Sequence, residues 1–527
     1  MMRNSAVGPR LGRSFGLLIL AGLVAGASAA STPSIPRSGA THGHYVVLGS
    51  ANGETVGYAR IITDPGYACP QIQGGAKAIQ MTSRDNPHGF PVIVCEAQIG
   101  FEQELEIVLQ DRSLPLPTVR KNPTRVVVFG DTGCKEYSAK SNSGCAPGTP
   151  AQPFASLTTA AAESGTPDVI LHMGDFNYRG TGSRLMFTVE EDGKAKQVAE
   201  WSYDAGDGTG AEEQCVQGSD TTFWSQNAAN SNHPDTWGGW SDDFFSAARD
   251  LLAKAPWVFA RGNHELCSRA GPGWFYFLDP SSNLDGEQLS CPKPDPPAGA
   301  LPNVVLGEPY AVDLGSLRLL VLDSANACDS FLNDTFTERY TKQFEELGRL
   351  AEGAETAWMI SHRPIWGVTS FSSTESTGCT SADQWGCINQ TLQAALKDSL
   401  NGAFPDSVKL LLSGHMHRFQ SVTFTDGRPP MVVVGTGGVA LDASPPLGTV
   451  DVTVDGASAD TLTTGAYVSN NGKLQPAFGY LDVTYQADGT WSGVLHSPPE
   501  GFTLANCGSE LEAKGSVCVL GSGVKAE

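Results

Sequence analysis

The sequence has little positive charge. Lys and Arg together number 34 against 56 Asp and Glu in a chain of 527 residues, so the formal net charge is −22. A strongly acidic chain is poorly suited to binding nucleic acid or an anionic membrane surface, and we expect neither partner. Hydrophobic residues make up 40% of the chain and charged residues 17%, which is typical of a globular protein and excludes an extended disordered one.

Long hydrophobic runs are also scarce. The apolar run at 15–26 is too short for a typical membrane span and is followed by small residues at 27–29. Three arginines precede it: Arg3, Arg10 and Arg13. This layout is typical of a signal peptide, with an N-terminal anchor as the alternative. We therefore predict a signal peptide at 1–29 and a secreted or periplasmic protein.

Cys-x-x-Cys pairs and the Cys/His spacings of zinc ribbons are absent, so no structural zinc site is expected. The chain nevertheless has 12 Cys, and an even number in an exported protein predicts disulfides. Most of the connectivity stays open at this point. Three pairs are close enough in sequence to be local bridges: Cys134 with Cys145, Cys379 with Cys387, and Cys507 with Cys518.

Internal repeats and low-complexity tracts are missing as well, and the chain divides by pattern. Residues 30–120 alternate short apolar runs with turn residues, which predicts a small all-β N-terminal domain. Residues 121–527 instead alternate continuous apolar runs with helical segments, which predicts a layered α/β domain. One of these helices is expected to begin at Ser241. The Gly- and acid-rich stretch 181–240 interrupts the alternation and is interpreted as an insertion loop.

Polar residues follow five of the apolar runs, at the points where buried strands are expected to end. The five segments are Gly130-Asp131, Gly174-Asp175 with Tyr178, Gly262-Asn263-His264-Glu265, Ser361-His362, and Gly414-His415-Met416-His417. Ligand sites of open α/β sheets form at the carboxyl ends of strands, so these side chains should converge. They offer only oxygen and nitrogen donors, which suit Fe, Zn or Mn, and they are numerous enough for two ions.

These motifs, in this order, resemble the metallophosphoesterase superfamily, and the Tyr of Gly-Asp-x-x-Tyr, here Tyr178, resembles the purple acid phosphatases. The resemblance covers about residues 124–440 and implies an α/β/β/α layered catalytic domain. It implies Fe(III) on four residues: Asp131, Asp175, Tyr178 and His417. It also implies that Asp175 bridges to a second ion, Fe(II), Zn(II) or Mn(II), on Asn263, His362 and His415.

The resemblance further implies that His264 faces the substrate phosphate and orients it or protonates the leaving oxygen. The expected function is that of an exported phosphatase that hydrolyses phosphate monoesters of small molecules by in-line attack of a metal-bound hydroxide. Two alternatives stay open. One is a phosphodiesterase or nucleotide hydrolase on the same scaffold, and the other is a secreted metal-binding module whose site is vestigial.

Overall fold

The fold was examined in a computed structural model. It describes residues 41–134, 152–178, 186–191, 194–199, 235–267, 270–291, 305–329, 332, 334–369, 379–380, 386–438, 441, 448–454, 457–464, 466–468, 474–498 and 501–522. The predicted signal peptide at 1–29 lies outside these residues.

The N-terminal region consists of strands, which confirms the predicted all-β segment. Its eight strands are β1 (Thr41–Ala51), β2 (Glu54–Thr63), β3 (Gln71–Gln73), β4 (Ile79–Gln80), β5 (Thr82–Ser83), β6 (Ile93–Ile99), β7 (Glu106–Val108) and β8 (Ser113–Pro115). Strands β3, β4, β7 and β8 form a separate four-stranded sheet, whereas β1, β2, β5 and β6 belong to a much larger one.

The remaining described strands follow in chain order. They are β9 (Arg125–Phe129), β10 (Val169–His172), β11 (Met186–Glu191), β12 (Lys194–Ala199), β13 (Trp257–Phe259), β14 (Tyr310–Leu314), β15 (Leu317–Leu322), β16 (Thr356–Ser361), β17 (Gly367–Thr369), β18 (Cys379–Thr380), β19 (Gly386–Ile388), β20 (Val408–Ser413), β21 (Phe419–Phe424), β22 (Met431–Val434), β23 (Gly448–Val454), β24 (Ala457–Thr464), β25 (Ala466–Val468), β26 (Leu474–Pro476), β27 (Tyr480–Tyr485), β28 (Trp491–Ser497), β29 (Phe502–Gly508) and β30 (Cys518–Leu520).

The described α-helices are α1 (Phe154–Glu163), α2 (Trp237–Trp240), α3 (Arg249–Leu252), α4 (Gly271–Phe277), α5 (Asp334–Ala351), α6 (Gln390–Leu400) and α7 (Ser509–Glu512). A π-helical turn at Ser241–Phe245 follows α2 directly and precedes α3. A 3₁₀ turn covers Asn263–Glu265. The helix expected to begin at Ser241 therefore begins at Trp237, because the Thr236 side chain accepts a hydrogen bond from the Gly239 N–H and caps the first turn.

Two large sheets form the body of the protein. The first has 11 strands in the order β30-β29-β28-β27-β9-β10-β13-β1-β2-β6-β5, and the second has nine in the order β14-β15-β16-β20-β22-β21-β24-β23-β18. Strands β9, β10 and β13 are parallel at the centre of the first sheet. Strands β15, β16, β20 and β22 are parallel in the second. These parallel strands are the apolar runs from which the sequence predicted a buried sheet.

The side chains of the central strands alternate between two cores. In β9, Val126 and Val128 lie in the core between the sheets, whereas Val127 and Phe129 pack with residues of α1 and α4 on the outer face. In β16, Trp358 faces the inter-sheet core and the neighbouring strand residues pack with α5 and α6. Since successive strand residues point to opposite faces, continuous apolar runs give four layers: helices, sheet, sheet, helices. This confirms the expected α/β/β/α arrangement.

The N-terminal strands extend the first sheet. Strand β1 lies parallel to β13, with Val47 opposite Trp257, and pairs with β2 along its whole length as a hairpin. The small β region predicted before the catalytic domain is thus present, and its hairpin continues the catalytic sheet. The two-domain division at residue 120 itself stays a prediction.

The predicted insertion at 181–240 is described only in part. It contains the β11–β12 hairpin and the short helix α2. Residues 200–234, which include Cys215, lie outside the described part of the chain.

Disulfides are present, as the cysteine count predicts. The Cys507–Cys518 pair is confirmed, and two longer-range bridges join Cys69 to Cys95 and Cys267 to Cys291. Cys134 and Cys328 are also disulfide-bonded. The pairs Cys134–Cys145 and Cys379–Cys387 stay predictions, since Cys145 and the side chains of the second pair lie outside the described residues.

No helix within the described ranges is both long and apolar enough to cross a membrane.

Candidate metal centre

Strand ends from both sheets deliver the candidate ligands to one edge. In the first sheet, β9 leads to Asp131, β10 to Asp175 and Tyr178, and β13 to Asn263. In the second sheet, β16 leads to His362, and β20 leads to His415 and His417. The convergence that the sequence predicts at the carboxyl ends of parallel strands is therefore observed for every one of these side chains.

Three of these residues leave their strands through an unusual backbone conformation. Asp131, Asp175 and His415 have φ angles of 57°, 59° and 71°, in the left-handed region that residues other than glycine seldom adopt. Asp and His tolerate this region better than β-branched residues do. Such conformations persist only where the surrounding structure enforces them, and they concentrate at functional sites.

Glycines beside the ligands are required by close packing. A Cβ on Gly174, which has φ of 97°, would lie 2.6 Å from Nδ1 of His362. A Cβ on Gly262 would collide with the Asp175 carboxylate. Any larger residue at either position would displace a candidate ligand.

One donor cluster surrounds the Tyr178 hydroxyl. Its oxygen lies 2.8 Å from Oδ2 of Asp175, 3.1 Å from Oδ1 of Asp131 and 3.1 Å from Nε2 of His417. All four side chains are buried or nearly so. Burial raises the pKa of the Tyr178 phenol well above its usual value, and the carboxylates of Asp175 and Asp131 raise it further. A cation bound among these groups would offset that crowding of acidic oxygens.

A second donor cluster surrounds the amide oxygen of Asn263. The Asn263 Oδ1 atom lies 2.9 Å from Nε2 of His362 and 2.9 Å from Nδ1 of His415. The Asp175 Oδ1 atom lies 3.3 Å from the same Nε2 of His362. Ligand atoms bound side by side at about 2.1 Å from one ion lie roughly 3 Å apart, so these spacings suit a single ion.

Asp175 belongs to both clusters. Its Oδ2 atom faces Tyr178, and its Oδ1 atom faces His362. Side-chain atoms that could hold an ion also group as Asp131, Asp175 and His417 on one side and as Asp175, His362 and His415 on the other. The donor set therefore fits a pair of ions that share one carboxylate, and Asp175 is the residue for which the family resemblance implies a bridging role.

Hydrogen bonds fix which ring nitrogen of each histidine faces the second cluster. The Nδ1 atom of His362 lies 2.7 Å from the Met173 carbonyl oxygen, which can only accept, so Nδ1–H donates and the lone pair of Nε2 points to Asn263. Burial lowers the pKa of His415, and the positive charge of Arg363 adds to this although Asp329 opposes it. A lowered pKa favours the neutral ring of His415, which keeps a lone pair for an ion.

Glu265 holds the loop that carries Asp175. Its Oε2 atom accepts from the Asp175 N–H at 3.0 Å, and its Oε1 atom accepts from the N–H groups of Phe176 at 2.8 Å and Asn177 at 3.1 Å. Its carboxylate is fully buried. Glu265 thus orients the loop that carries Asp175.

His264 lies beside the first donor cluster. Its backbone N–H donates to Oδ1 of Asp175 at 2.9 Å, and its ring centroid lies 3.9 Å from that of Tyr178. The residue is 6% exposed. Its imidazole borders the candidate site and is not one of the candidate ligands.

The sequence interpretation missed a group of residues behind His415. Asp329, in the loop after β15, has its Oδ2 atom 2.7 Å from Nε2 of His415 and 2.6 Å from Nη1 of Arg363. Burial alone would raise the pKa of Asp329, but Arg363 and His415 hold it well below its usual value. The sequence signal for this group was an Arg directly after the candidate ligand His362, at the end of a buried strand.

One comparison with known proteins, the family match, agrees with this geometry. The family model for calcineurin-like phosphoesterases matches residues 124–419, which is more than half of the chain and contains every candidate ligand. A search of curated proteins finds no significant match.

Two solved structures resemble the chain at low identity. A purple acid phosphatase, PPD1, from seeds of yellow lupin (Lupinus luteus) is 14% identical with a TM-score of 0.44, over 90% of this chain and 74% of that one. GAP50 of Plasmodium, described as the anchor in the inner membrane complex, is 12% identical with a TM-score of 0.35, over 73% of this chain and 88% of that one. On the family match, the chain belongs to the calcineurin-like phosphoesterases, as the strand-end motifs predict.

Proposed function

We propose that this protein is an exported phosphatase that hydrolyses phosphate monoesters at a binuclear metal centre. The observation that carries the proposal is the position of Asp175, whose two oxygens face two separate donor clusters. Each cluster has the donor types and spacings of one metal site. The residues that would hold the first ion are Asp131, Asp175, Tyr178 and His417, and those for the second are Asp175, Asn263, His362 and His415.

The chemistry that a pair of ions supplies when bound is Lewis-acid stabilisation of phosphate oxygens and activation of a water molecule. The protein residues position that chemistry. The left-handed turns at Asp131, Asp175 and His415 occur where each chain segment reaches the two donor clusters, and Glu265 fixes the loop between β10 and Tyr178. No serine or cysteine nucleophile is needed.

His264 is the proposed donor to the leaving oxygen. An imidazolium beside a phosphoryl group offers a charge-assisted hydrogen bond. Replacement of His264 with Ala should keep both ions bound and lower kcat by roughly 10²-fold, in the range of general acid contributions. Steady-state kinetics with p-nitrophenyl phosphate measure the effect, and metal analysis confirms loading. His496→Ala, on β28, is the matched control, and a His264→Ala enzyme that works as fast as this control would remove His264 from the proposed role.

Iron bound to Tyr178 in the first site would give the protein a visible absorption band. A phenolate bound to Fe(III) absorbs visible light, whereas the O/N donors around it do not. We therefore expect Tyr178→Phe to lose any visible absorption band of the iron-loaded protein while its circular dichroism spectrum stays that of wild type. Tyr67→Phe serves as the control. A band that persists in Tyr178→Phe would exclude Tyr178 as an iron ligand.

The substrate class is tested with two synthetic esters. Protein loaded with Fe, Zn or Mn should hydrolyse p-nitrophenyl phosphate with a higher kcat/KM than bis(p-nitrophenyl) phosphate. Preference for the diester would transfer the proposal to a phosphodiesterase on the same scaffold. Hydrolysis of neither ester by protein that binds two ions would favour a secreted metal-binding module.

The disulfides support export. Bridges such as Cys69–Cys95 and Cys267–Cys291 form and persist in oxidising compartments. A reporter fused after residue 29 would show whether the predicted signal peptide directs secretion.

A further inference from the structure

Asp329 lies behind the proposed second metal site and touches one ligand of it. It is 4% exposed and sits in the loop that follows β15, a strand whose end supplies no candidate ligand. Its Oδ2 atom lies 2.7 Å from Nε2 of His415, while Nδ1 of the same ring lies 2.9 Å from Oδ1 of Asn263. The two nitrogens of His415 therefore face a carboxylate on one side and the proposed ion position on the other.

The Asp329 carboxylate is held in place from both ends. Arg363, which is fully buried, donates through Nη1 to Oδ2 at 2.6 Å. Asn389 donates through Nδ2 to Oδ1 at 2.8 Å. Both contacts require Asp329 to accept, so its oxygens cannot rotate away from His415 without losing a buried hydrogen bond.

This arrangement determines the tautomer of His415. An ionised carboxylate can only accept, so the 2.7 Å contact with Asp329 needs a donor at Nε2 of His415. The ring proton then belongs on Nε2 and the lone pair on Nδ1. The 3.0 Å approach of Arg363 Nη1 to the same Nε2 follows from two donors converging on one oxygen. The Nδ1 lone pair then points at the position shared with Asn263.

The other histidine of the proposed second metal site is fixed differently. His362 donates through Nδ1 to the backbone carbonyl of Met173, which no substitution at position 173 removes. In His415, by contrast, the ring nitrogen that faces away from the proposed ion meets a side chain. A carboxylate partner also makes an imidazole more basic and a stronger metal ligand than a carbonyl partner does.

We propose that Asp329, braced by Arg363 and Asn389, is a positioning residue that sets the tautomer of His415 and thereby the affinity of the second metal site. The inference rests on the metal centre of the proposed function. It assigns the loop after β15 a role in metal binding, although that loop supplies no candidate metal ligand.

Zinc binding tests the inference. Wild-type protein titrated with Zn²⁺ should bind two ions, and Asp329→Ala should bind the second one about 10- to 100-fold more weakly, as expected for removal of a partner behind a ligand. The first ion should bind with unchanged affinity. If Asp329→Ala bound each of the two ions as tightly as wild type does, the inference would be overturned.

Asp323→Ala is the matched control. Asp323 lies in the same loop and accepts from Arg261 at 2.9 Å and from the Gly307 N–H at 2.8 Å, whereas none of its hydrogen bonds within the described residues is with His415. Asp323→Ala should leave the zinc affinity unchanged. If Asp323→Ala and Asp329→Ala lost zinc affinity equally, Asp329 would act only by holding the loop in place. If Asp329→Ala does not fold, Asp329→Asn replaces it, because one amide oxygen cannot serve His415, Arg363 and Asn389 together.

The ring tautomer gives a readout that needs no ion. In zinc-free protein labelled with ¹⁵N-histidine, the signals of His415, assigned by their loss in His415→Gln, should show a protonated Nε2 and an unprotonated Nδ1. The Asp329 variant should show a mixture of the two tautomers, and an unchanged tautomer would overturn the inference. Failure of wild-type protein to bind zinc would overturn the proposed function instead. The tautomer measurement would still show whether Asp329 sets the proton position on His415.

Discussion

Replacement of Asp175 with Asn is expected to abolish hydrolysis almost completely. The carboxylate is the only side chain shared by both donor clusters, and an amide lacks the charge needed to bridge two cations. The fold should persist, because Asn keeps the size of Asp and an oxygen that accepts from the His264 N–H. We expect kcat/KM for p-nitrophenyl phosphate to fall by at least about 10³-fold, which corresponds to roughly 4 kcal/mol of transition-state stabilisation.

Metal content separates this effect from unfolding. Elemental analysis of purified Asp175→Asn should show less than the two ions expected per wild-type chain, with an unchanged circular dichroism spectrum. Asp398→Asn, an exposed position on α6, is the control and should match wild type in both assays. Two retained ions together with activity close to that of this control would show that Asp175 does not bridge.

Replacement of Glu96 with Gln is expected to cause the largest loss of stability. Glu96, on β6, is 1% exposed and accepts from the guanidinium groups of Arg60 at 3.2 Å and Arg84 at 2.6 Å. Both arginines are buried and donate to backbone carbonyls at the end of α4, including the carbonyl of Phe277. Removal of the carboxylate deprives two buried cations of an anionic side chain to which both donate, which costs about 3–5 kcal/mol in comparable cases.

The pH dependence of this loss has a definite sign. Burial alone would raise the pKa of Glu96, but Arg60 and Arg84 lower it below its usual value. A carboxyl group whose pKa is lower in the folded than in the unfolded state stabilises the fold above the unfolded value, about 4.3, and loses this contribution as the pH falls through the folded value. The gap between wild type and Glu96→Gln should therefore be full at neutral pH and should close in strong acid.

Guanidinium unfolding midpoints at neutral and acid pH measure this gap. Glu338→Gln is the matched control, because Glu338 pairs with Lys342 on the exposed face of α5 at 2.8 Å, and such pairs contribute little. We expect no measurable shift for the control. A Glu96→Gln protein as stable as wild type at neutral pH would show that the two arginines need no buried counter-charge.

The layers and the candidate ligands were predictable because both depend on local signals. Val126–Phe129 shows the continuous apolar pattern of a strand buried on both faces, and the polar residues after each such strand mark the edge where a site forms. The residue types alone indicated two ions. The structure adds the distances, the left-handed turns and the ring nitrogens of His362 and His415 that face the second donor cluster.

Other features could not be predicted from the sequence, because they depend on contacts between residues that are distant in sequence. Asp329 meets His415 across 86 residues, and no spacing rule connects an acid in one loop to a histidine in another. The pairing of β1 with β13 joins Val47 to Trp257, so an N-terminal segment that reads as a separate β domain extends the catalytic sheet. The start of α2 was missed because the sequence offers both Thr236 and Ser241 as capping residues.

The order of strands in the first sheet also determines when the site can assemble. Strand β9, which carries Asp131 at its end, lies between β10 and β27, and Val126 pairs with Val483 near the other end of the chain. Ribosomal synthesis therefore leaves one edge of β9 open until almost the whole polypeptide has emerged. Non-local pairings of this kind slow folding and prolong exposure of apolar strand edges to other chains. We expect refolding from denaturant to be slow and sensitive to protein concentration, and a chain that ends before β27 to aggregate.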